Sequence, residues 1–294
     1  MKIFQSSPNL RTLLELHKRR PDVKLNLLLS FGVPTSDLMG FMDRYRHLSN
    51  WLIYDSGAYS INFAQNPKIK DLTVDDYIVQ LSLVHKYFDF CFNFDSDFRE
   101  QGVGNNALMQ MKIETAGYPV IPVVHDYYGD EIQSFIDGGH ETIALGSFKN
   151  RSPDDVKHAL KTTYPAGIKV HLFGKVGLRY IAHLPVWSCD ASSWAQYVKF
   201  GRILFWDTDK PTIDKTVCLV LSDFDECKEG EQYFETYMKR DVVEKYIFDN
   251  LGIKYMQLMG YRKEMYRSLV NHLFYWNLEK YVTGLHHEKE FQTD

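Results

Sequence analysis

Residues 186–194 read Val-Trp-Ser-Cys-Asp-Ala-Ser-Ser-Trp, an apolar run that ends on the carboxylate of Asp190 and continues into a helix-like segment. An acid at such a junction can cap a helix, because its oxygens accept hydrogen bonds from the first free N–H groups. The end of a strand is also where a barrel enzyme holds a nucleophile. This stretch alone leaves both interpretations open, so the surrounding fold has to be inferred first.

Short apolar runs alternate with helix-like segments along the chain that leads to Asp190. The predicted strands are 2–5, 25–31, 51–54, 88–94, 120–124, 142–145, 168–173 and 186–189. Nearly every run ends on a polar residue or a glycine. Eight strand–helix units in this length favour an α/β fold of the (β/α)8 TIM-barrel type. An open, doubly wound sheet stays an alternative, because alternation along a sequence does not show closure.

The chain after the eighth predicted strand looks different. Residues 203–230 contain two more strand-like runs and read as an excursion, whereas 231–250 and 260–281 read as aromatic-rich helices. The tail from His286 is polar, and we expect it to fray. We therefore predict one domain, with the barrel at 1–230 and a helical C-terminal extension at 231–294.

Composition narrows the class of protein. Hydrophobic residues make up 45% of the 294 residues and aromatic residues 15%, which argues against disorder. The net charge of −4 provides no global basic field, so a nucleic-acid site would need a local patch. We find neither a spanning run of roughly 20 apolar residues nor a leader peptide. The sequence thus predicts a soluble, cytoplasmic protein without a membrane partner.

The four cysteines, Cys91, Cys189, Cys218 and Cys227, lie far apart and form no C-x-x-C pair. Structural zinc sites usually need such close-spaced ligands. We predict reduced thiols, no metal and no cofactor.

Polar side chains gather where the predicted strands end. Because strand carboxyl ends share one mouth of a barrel, six residues should meet there. They are Asp55, Asp95, His125, Ser147, Phe173 and Asp190. Three carboxylates suggest nucleophilic and acid/base work at an acetal-like carbon. Each acid taken singly could instead cap the next helix, but this explanation is harder to accept for all three.

Residues 55–59, Asp-Ser-Gly-Ala-Tyr, resemble the Asp-Ser-Gly-Gly-(Phe/Tyr) motif of the tRNA-guanine transglycosylase family, also called queuine tRNA-ribosyltransferases. Members of that family are (β/α)8 barrels that exchange guanine for a 7-deazaguanine base. Further matches follow in the family's order at Phe94-Asp95, Ala144-Leu145-Gly146-Ser147, Leu172-Phe173-Gly174 and Cys189-Asp190. The resemblance covers roughly residues 50 to 195 as short, ordered motifs.

The resemblance implies two catalytic residues. Asp190 matches the nucleophile that attacks C1′ of the nucleoside and forms a covalent glycosyl intermediate. Asp55 matches the acid/base residue that manages the protonation of the base. Ser56 matches a base contact, and Asp95 matches the acid that recognises the N–H edge of the guanine-like ring.

Further substrate-binding positions follow from the same resemblance. Tyr59 and Phe173 match the residues that sandwich the base, although plain packing at the barrel mouth would also explain them. Gly146 and Ser147 fall where backbone groups of the family read the base, although the family usually has two glycines there, and Gly174 completes the match at Leu172-Phe173-Gly174 as a further substrate-binding position. His125 stands where the family tends to carry a base-contacting Gln, and a structural histidine is an equally good explanation there.

Departures from the family bear on the substrate. The tRNA-acting members carry a zinc site after the nucleophile strand, where this chain has only Cys218 and Cys227. The RNA-binding arginines are replaced by Trp194, Gln196 and Lys199. In these respects the chain is more similar to the phage and bacterial branch that inserts 7-deazaguanines into DNA, where phage members would act in the host cytoplasm.

We therefore predict a DNA guanine transglycosylase whose partners are DNA and a free 7-deazaguanine base such as 7-cyano-7-deazaguanine (preQ0). A basic patch for the backbone is expected from Lys149, Arg151, Lys175, Arg179 and Lys199, unless these residues form only a solvated rim.

The alternatives are tRNA as the polymer, a glycoside or nucleoside hydrolase that uses Asp55 and Asp190, and a silent base-binding protein. The tRNA alternative would need a helper subunit, a homodimer or a basic face. That face would consist of Lys239, Arg240, Lys245, Arg262, Lys263 and Arg267.

Overall fold

The computed structural model describes residues 1–32, 38–63, 66–96, 98, 102–146, 151–222 and 225–293. Its first eight strands are β1 (Lys2–Ser6), β2 (Leu25–Ser30), β3 (Ser49–Asp55), β4 (Phe90–Cys91), β5 (Val123–Val124), β6 (Thr142–Leu145), β7 (Lys169–Leu172) and β8 (Ser188–Ala191). They form one sheet in the order β4-β3-β2-β1-β8-β7-β6-β5, with parallel pairing.

The edge strands of this sheet meet. Phe92 forms a parallel bridge with Ile121. The N–H of Ile121 donates to the carbonyl of Cys91 at 2.8 Å, and the N–H of Asn93 donates to the carbonyl of Ile121 at 2.9 Å. These bonds join β4 to the chain before β5. The predicted (β/α)8 barrel is thereby confirmed.

Strands β4 and β5 are shorter than the predicted runs 88–94 and 120–124. Pro122 lies immediately before β5, and its carbonyl accepts from the N–H of Ala144 at 2.8 Å. Because proline has no N–H, it cannot donate on the side of its carbonyl, which faces β6, and the pairing of β5 with β6 begins at Val123. On the other side of this segment, the described contact with β4 is the bridge at Ile121.

Helices alternate with the barrel strands. They are α1 (Leu10–Arg19), α2 (Leu38–Tyr45), α3 (Ala58–Phe63), α4 (Pro67–Lys70), α5 (Val74–Val84), α6 (Val103–Thr115), α7 (Glu131–Asp137), α8 (Pro153–Thr163), α9 (Leu178–Ile181) and α10 (Ser193–Lys199). The predicted helix start at Ser152 is confirmed. Its side chain and that of Asp155 form a reciprocal capping box, with Pro153 in the first turn.

The rest of the chain contains β9 (Arg202–Trp206), β10 (Thr216–Val220), β11 (Glu231–Tyr233), α11 (Arg240–Leu251), α12 (Tyr255–Met259) and α13 (Lys263–Glu288). The prediction of one helix over 231–250 was wrong at its beginning. Residues of β11 pair with β10, and Phe234 then lies fully buried against Tyr255, with ring centroids 4.8 Å apart. Pairing and burial by distant residues override the local helical pattern.

The chain divides into two compact units. One comprises residues 1–7, 26–190 and 282–294 and contains the barrel; the other comprises 8–25 and 191–281. The predicted division at residue 230 stays a prediction. None of the described helices is long and apolar enough to cross a membrane.

The expected fraying from His286 is corrected by the structure. The imidazole of His286 is buried, with Nε2 2.6 Å from the carbonyl oxygen of Ile181 and Nδ1 2.9 Å from the hydroxyl of Thr293. The tail is anchored because a buried polar ring requires hydrogen-bond partners, which the barrel unit provides.

Candidate active site at the carboxyl ends of the barrel strands

Strand alternation explains why polar groups collect at one end of the barrel. A buried apolar cluster consists of Phe4, Leu28, Ile53, Phe92, Ile121, Val123 and Ala144. In five of these strand segments, the residue two positions after the cluster member lies on the same face and is polar or glycine. These residues are Ser6, Ser30, Asp55, His125 and Gly146. The apolar cluster thus lies one step below a polar layer.

Asp190 lies in β8, and its carboxylate is held by two donors. Oδ1 accepts from the N–H of Gly174 at 2.6 Å, and Oδ2 accepts from the hydroxyl of Ser6 at 3.1 Å. The side chain is buried, with 8% of the residue exposed. The N-cap residue of α10 is Ser192, not Asp190. Of the two interpretations of this acid, the structure therefore does not support the helix cap.

His171 lies beside Asp190 and was not found by sequence reasoning. Its ring is completely buried, with Nδ1 2.8 Å from the hydroxyl of Ser188 and Nε2 3.7 Å from Oδ1 of Asp190. A carboxylate disfavours a bare lone pair facing it, so the proton belongs on Nε2 and Ser188 donates to Nδ1. We call Ser188, His171 and Asp190 the polar chain; its last step, from Nε2 of His171 to Asp190, is longer than a hydrogen bond. The sequence did contain a signal for His171. Ser188 lies two residues before Asp190 and His171 lies two residues before Phe173, so the members of each pair share one face of a strand.

Asp55 ends β3 and is half-buried. Burial, followed by the charges of Asp95 and Asp190, raises the pKa of Asp55 to about 7, although the N–H of Gly57 and the hydroxyl of Ser30 oppose the shift. The mutual influence of these acids places all three predicted carboxylates in one electrostatic environment. A carboxyl group with this pKa can hold or release a proton near neutral pH.

The turn after Asp55 depends on two glycines. Gly57 has a φ of +73°, and a Cβ atom there would lie 2.2 Å from the nitrogen of Gly32. The N–H of Phe31, next to Gly32, donates to the carbonyl of Asp55 at 2.9 Å. The close approach of the Gly32 and Gly57 turns fixes the backbone position from which the side chain of Asp55 extends.

Asp95 is buried and has two side-chain partners. The hydroxyl of Ser56 donates to Oδ1 at 3.3 Å, and Nε2 of His125 lies 3.0 Å from Oδ2. Because a carboxylate oxygen only accepts, the proton of a neutral His125 belongs on Nε2, which leaves Nδ1 as an acceptor. Among the residues that the structure describes, Nδ1 has no hydrogen-bond partner.

Backbone contacts fix His125 in place. Its N–H donates to Oε2 of Glu131 at 2.8 Å, and its carbonyl accepts from the guanidinium of Arg151 at 2.9 Å. Burial raises the pKa of Glu131, although the two backbone N–H groups bound to it lower it. A Cβ atom at Gly146 would lie 2.9 Å from Cε1 of His125, so this glycine leaves room for the ring.

The two predicted sandwich residues lie in different surroundings. Phe173 is half-buried, with its ring centroid 4.8 Å from Phe92 and 4.7 Å from His171. Tyr59 lies on α3, is 71% exposed, and contacts Phe63 with centroids 4.7 Å apart. The sandwich stays a prediction.

The structure thus brings together eight of the predicted site residues: Asp55, Ser56, Asp95, His125, Gly146, Phe173, Gly174 and Asp190. Ser147 and Lys149 lie outside the described residues. Within the described ranges, no group of three or more His, Cys, Asp or Glu side chains is arranged to hold a metal ion.

Comparison with known proteins leaves the family open. No protein-family model and no curated protein matches the chain. Among solved structures, a putative fructose-1,6-bisphosphate aldolase from Coccidioides immitis matches with a TM-score of 0.42 and 13% identity, over 68% of this chain and 76% of that chain. So distant a likeness does not bear on the reaction.

Proposed function

We propose that the protein is an enzyme that exchanges guanine in DNA for a free 7-deazaguanine base through a covalent intermediate on Asp190. The observation that carries the proposal is the pair formed by Asp190, held by Gly174 and Ser6, and Asp55, whose pKa is raised to about 7. A held nucleophile and a protonated acid beside it are what the replacement of a glycosidic base requires.

In the first half of the reaction, an oxygen of Asp190 attacks C1′ of a deoxyguanosine. The C1′–N9 bond breaks, its electron pair leaves with guanine, and the proton of Asp55 neutralises that base. In the second half, N9 of the incoming 7-deazaguanine attacks C1′ and releases Asp190 as a carboxylate. The N9 proton passes to Asp55, which restores the starting state.

The neighbouring residues suit the recognition of a guanine-like base. Asp95 offers carboxylate oxygens to an N–H edge, and His125 orients it. Phe173 offers a ring face for stacking. The polar chain through His171 directs an N–H toward Asp190, which we expect to orient the nucleophile and to steady its charge when it is released.

The preference for DNA over tRNA rests on the resemblance, because cations of both expected basic patches are engaged by other groups. Lys239 and Arg240 form ion pairs with acids, as does Lys245, and Arg267 is buried. These pairs weaken the basic face that tRNA binding would need. Arg151, from the patch expected to bind DNA, is likewise engaged, at the carbonyl of His125 and over the ring of Tyr127, so the cations do not distinguish the two polymers.

The proposal is tested by release of labelled guanine from DNA or tRNA in the presence of 7-cyano-7-deazaguanine. Asp190→Ala should abolish release, whereas Asp137→Asn, on the surface helix α7, should retain it. A covalent complex trapped between DNA and the parent protein should be missing from Asp190→Ala. Release from tRNA alone would replace the polymer, and label release without base incorporation would favour the nucleoside hydrolase. No release from either polymer would overturn the chemistry.

A further inference from the structure

A row of aromatic rings leads outward from the buried Asp95–His125 pair. The ring of Phe98 lies 5.6 Å from His125, and the ring of Phe63 lies 6.5 Å from Phe98 with planes inclined by 26°. Tyr59 extends the row, 4.7 Å from Phe63. We call Tyr59, Phe63 and Phe98 the aromatic track.

The aromatic track is not part of the barrel core. Phe63 is 53% exposed and Tyr59 is 71% exposed, whereas Phe98 is half-buried. Adjacent exposed aromatic rings are costly in water and commonly mark a binding surface. Because every nucleobase has a flat π-face, aromatic rings bind unpaired nucleotides without requiring a particular sequence.

Positive charge accompanies the aromatic track. Helix α4 packs against α3, which carries Tyr59 and Phe63. Two of the four residues of α4 are exposed lysines, Lys68 and Lys70, and none is acidic. Cations beside stacking rings match the two needs of single-stranded nucleic acid, whose phosphates and bases are bound separately.

We propose that the aromatic track, together with Lys68 and Lys70, binds the unpaired nucleotides that flank the guanosine in the barrel. This inference rests on the proposed function and adds that the polymer is held as a single strand near the site. A base that enters the barrel has to leave its duplex, so neighbouring nucleotides are the first to become unstacked. Their bases would stack on Phe63 and Phe98, while the lysines contact the backbone.

The test is binding of a fluorescently labelled single-stranded DNA of about a dozen nucleotides, followed by anisotropy. Phe63→Ala should weaken binding about five-fold or more, as loss of one base–aromatic stack does. The matched control is Phe248→Ala, because Phe248 is also a half-exposed phenylalanine, at 50%, but lies on α11. Thermal unfolding should show that both variants remain folded.

A second variant tests the charges independently of the rings. The double variant Lys68→Gln, Lys70→Gln should bind more weakly at low salt. The slope of log Kd against log salt concentration should also decrease, by the amount expected for the loss of about one to two phosphate contacts. Equal binding by Phe63→Ala and the parent would overturn the role of the rings. A preference for duplex over single-stranded DNA would overturn the proposed ligand.

Failure of this inference differs from failure of the proposed function. Anisotropy needs no reaction, so the aromatic track can bind DNA even if the parent protein releases no guanine from either polymer. If exchange is observed while Phe63→Ala changes neither DNA affinity nor the KM for DNA, the function stands and the aromatic track is wrong.

Discussion

His171, the middle member of the polar chain, packs against Phe4 and Phe92 of the apolar cluster, whereas Asp190 contacts Ser6 in the polar layer above it. An imidazole in such surroundings is costly to bury unless its nitrogens have polar neighbours. Ser188 uses one nitrogen, and the other faces the carboxylate. The protein therefore retains a polar group in its core beside the proposed nucleophile.

We predict that His171→Gln lowers kcat for base exchange by about 10- to 100-fold, because the N–H that faces Asp190 is lost or misplaced. His158→Gln, on the exposed side of α8, should leave kcat unchanged. Imidazole ¹⁵N shifts supply a measurement independent of catalysis: His171 should carry its proton on Nε2, and Asp190→Asn should move that signal. A proton on Nδ1 would contradict the assignment.

Ionisation of Asp55 as pH rises lowers the stability of the fold, whereas ionisation of an acid in a surface ion pair raises it. Its pKa is raised to about 7, so the protonated form is favoured in the folded state. The unfolded chain loses this proton near pH 4 and the folded chain only near pH 7, so stability falls as pH rises through that window. Asp55→Asn should therefore gain stability relative to the parent by about 1 to 4 kcal/mol between pH 4 and 8. Urea unfolding checks this, and a constant difference would contradict it.

At the scale of elements, the turns that end β2 and β3 decide where the acids lie. Gly57→Ala would place a methyl group 2.2 Å from the nitrogen of Gly32 and force a left-handed residue to carry a side chain. We expect a loss of more than about 2 kcal/mol in the free energy of unfolding, together with reduced exchange.

The matched control for this turn is Gly139→Ala. Gly139 has a similar φ of +79°, but its Cβ would meet no atom within 4 Å. This variant should lose only about 1 kcal/mol, the cost of the backbone conformation. Equal losses in the two variants would show that the close approach to Gly32 does not matter. Chemical denaturation of both variants provides the comparison.

Elements defined by local pattern could be predicted from the sequence, and elements defined by distant partners could not. The buried runs of β2, β3 and β6 and the capped start at Ser152 carry their signal in adjacent residues. In contrast, β11 exists because β10 lies beside it, and β5 begins only at Val123 because Pro122 cannot donate to β6.

The same distinction holds for the site. Asp55 and Asp190 end recognisable strands, so their shared location followed from barrel topology. His171 and Ser188 resemble ordinary strand residues, and only the position of their side chains inside the barrel brings them to Asp190. Tyr59 could be placed in a motif, but the sequence did not show that its ring contacts Phe63.

At the scale of the whole molecule, each compact unit buries a histidine whose pKa is lowered by burial. His286 lies in the barrel unit, where the carbonyl of Ile181 partly opposes the shift. His272 lies in the other unit against the indole of Trp194, with centroids 4.4 Å apart, and its pKa is lowered to about 3. Both units are therefore expected to lose stability through these histidines as pH falls, whereas Asp55 acts in the opposite direction over an overlapping pH range.

His272→Gln tests this sensitivity to acid. The unfolded chain protonates His272 near pH 6.5 and the folded chain only near pH 3, so stability from this group is lost as pH falls between those values. The parent should lose on the order of 3 kcal/mol more than His272→Gln between pH 7 and 4, although the variant starts lower because its packing is poorer. The exposed His287→Gln should follow the parent. Urea unfolding at both pH values measures the difference, and parallel losses in parent and His272→Gln would place the acid-sensitive group elsewhere.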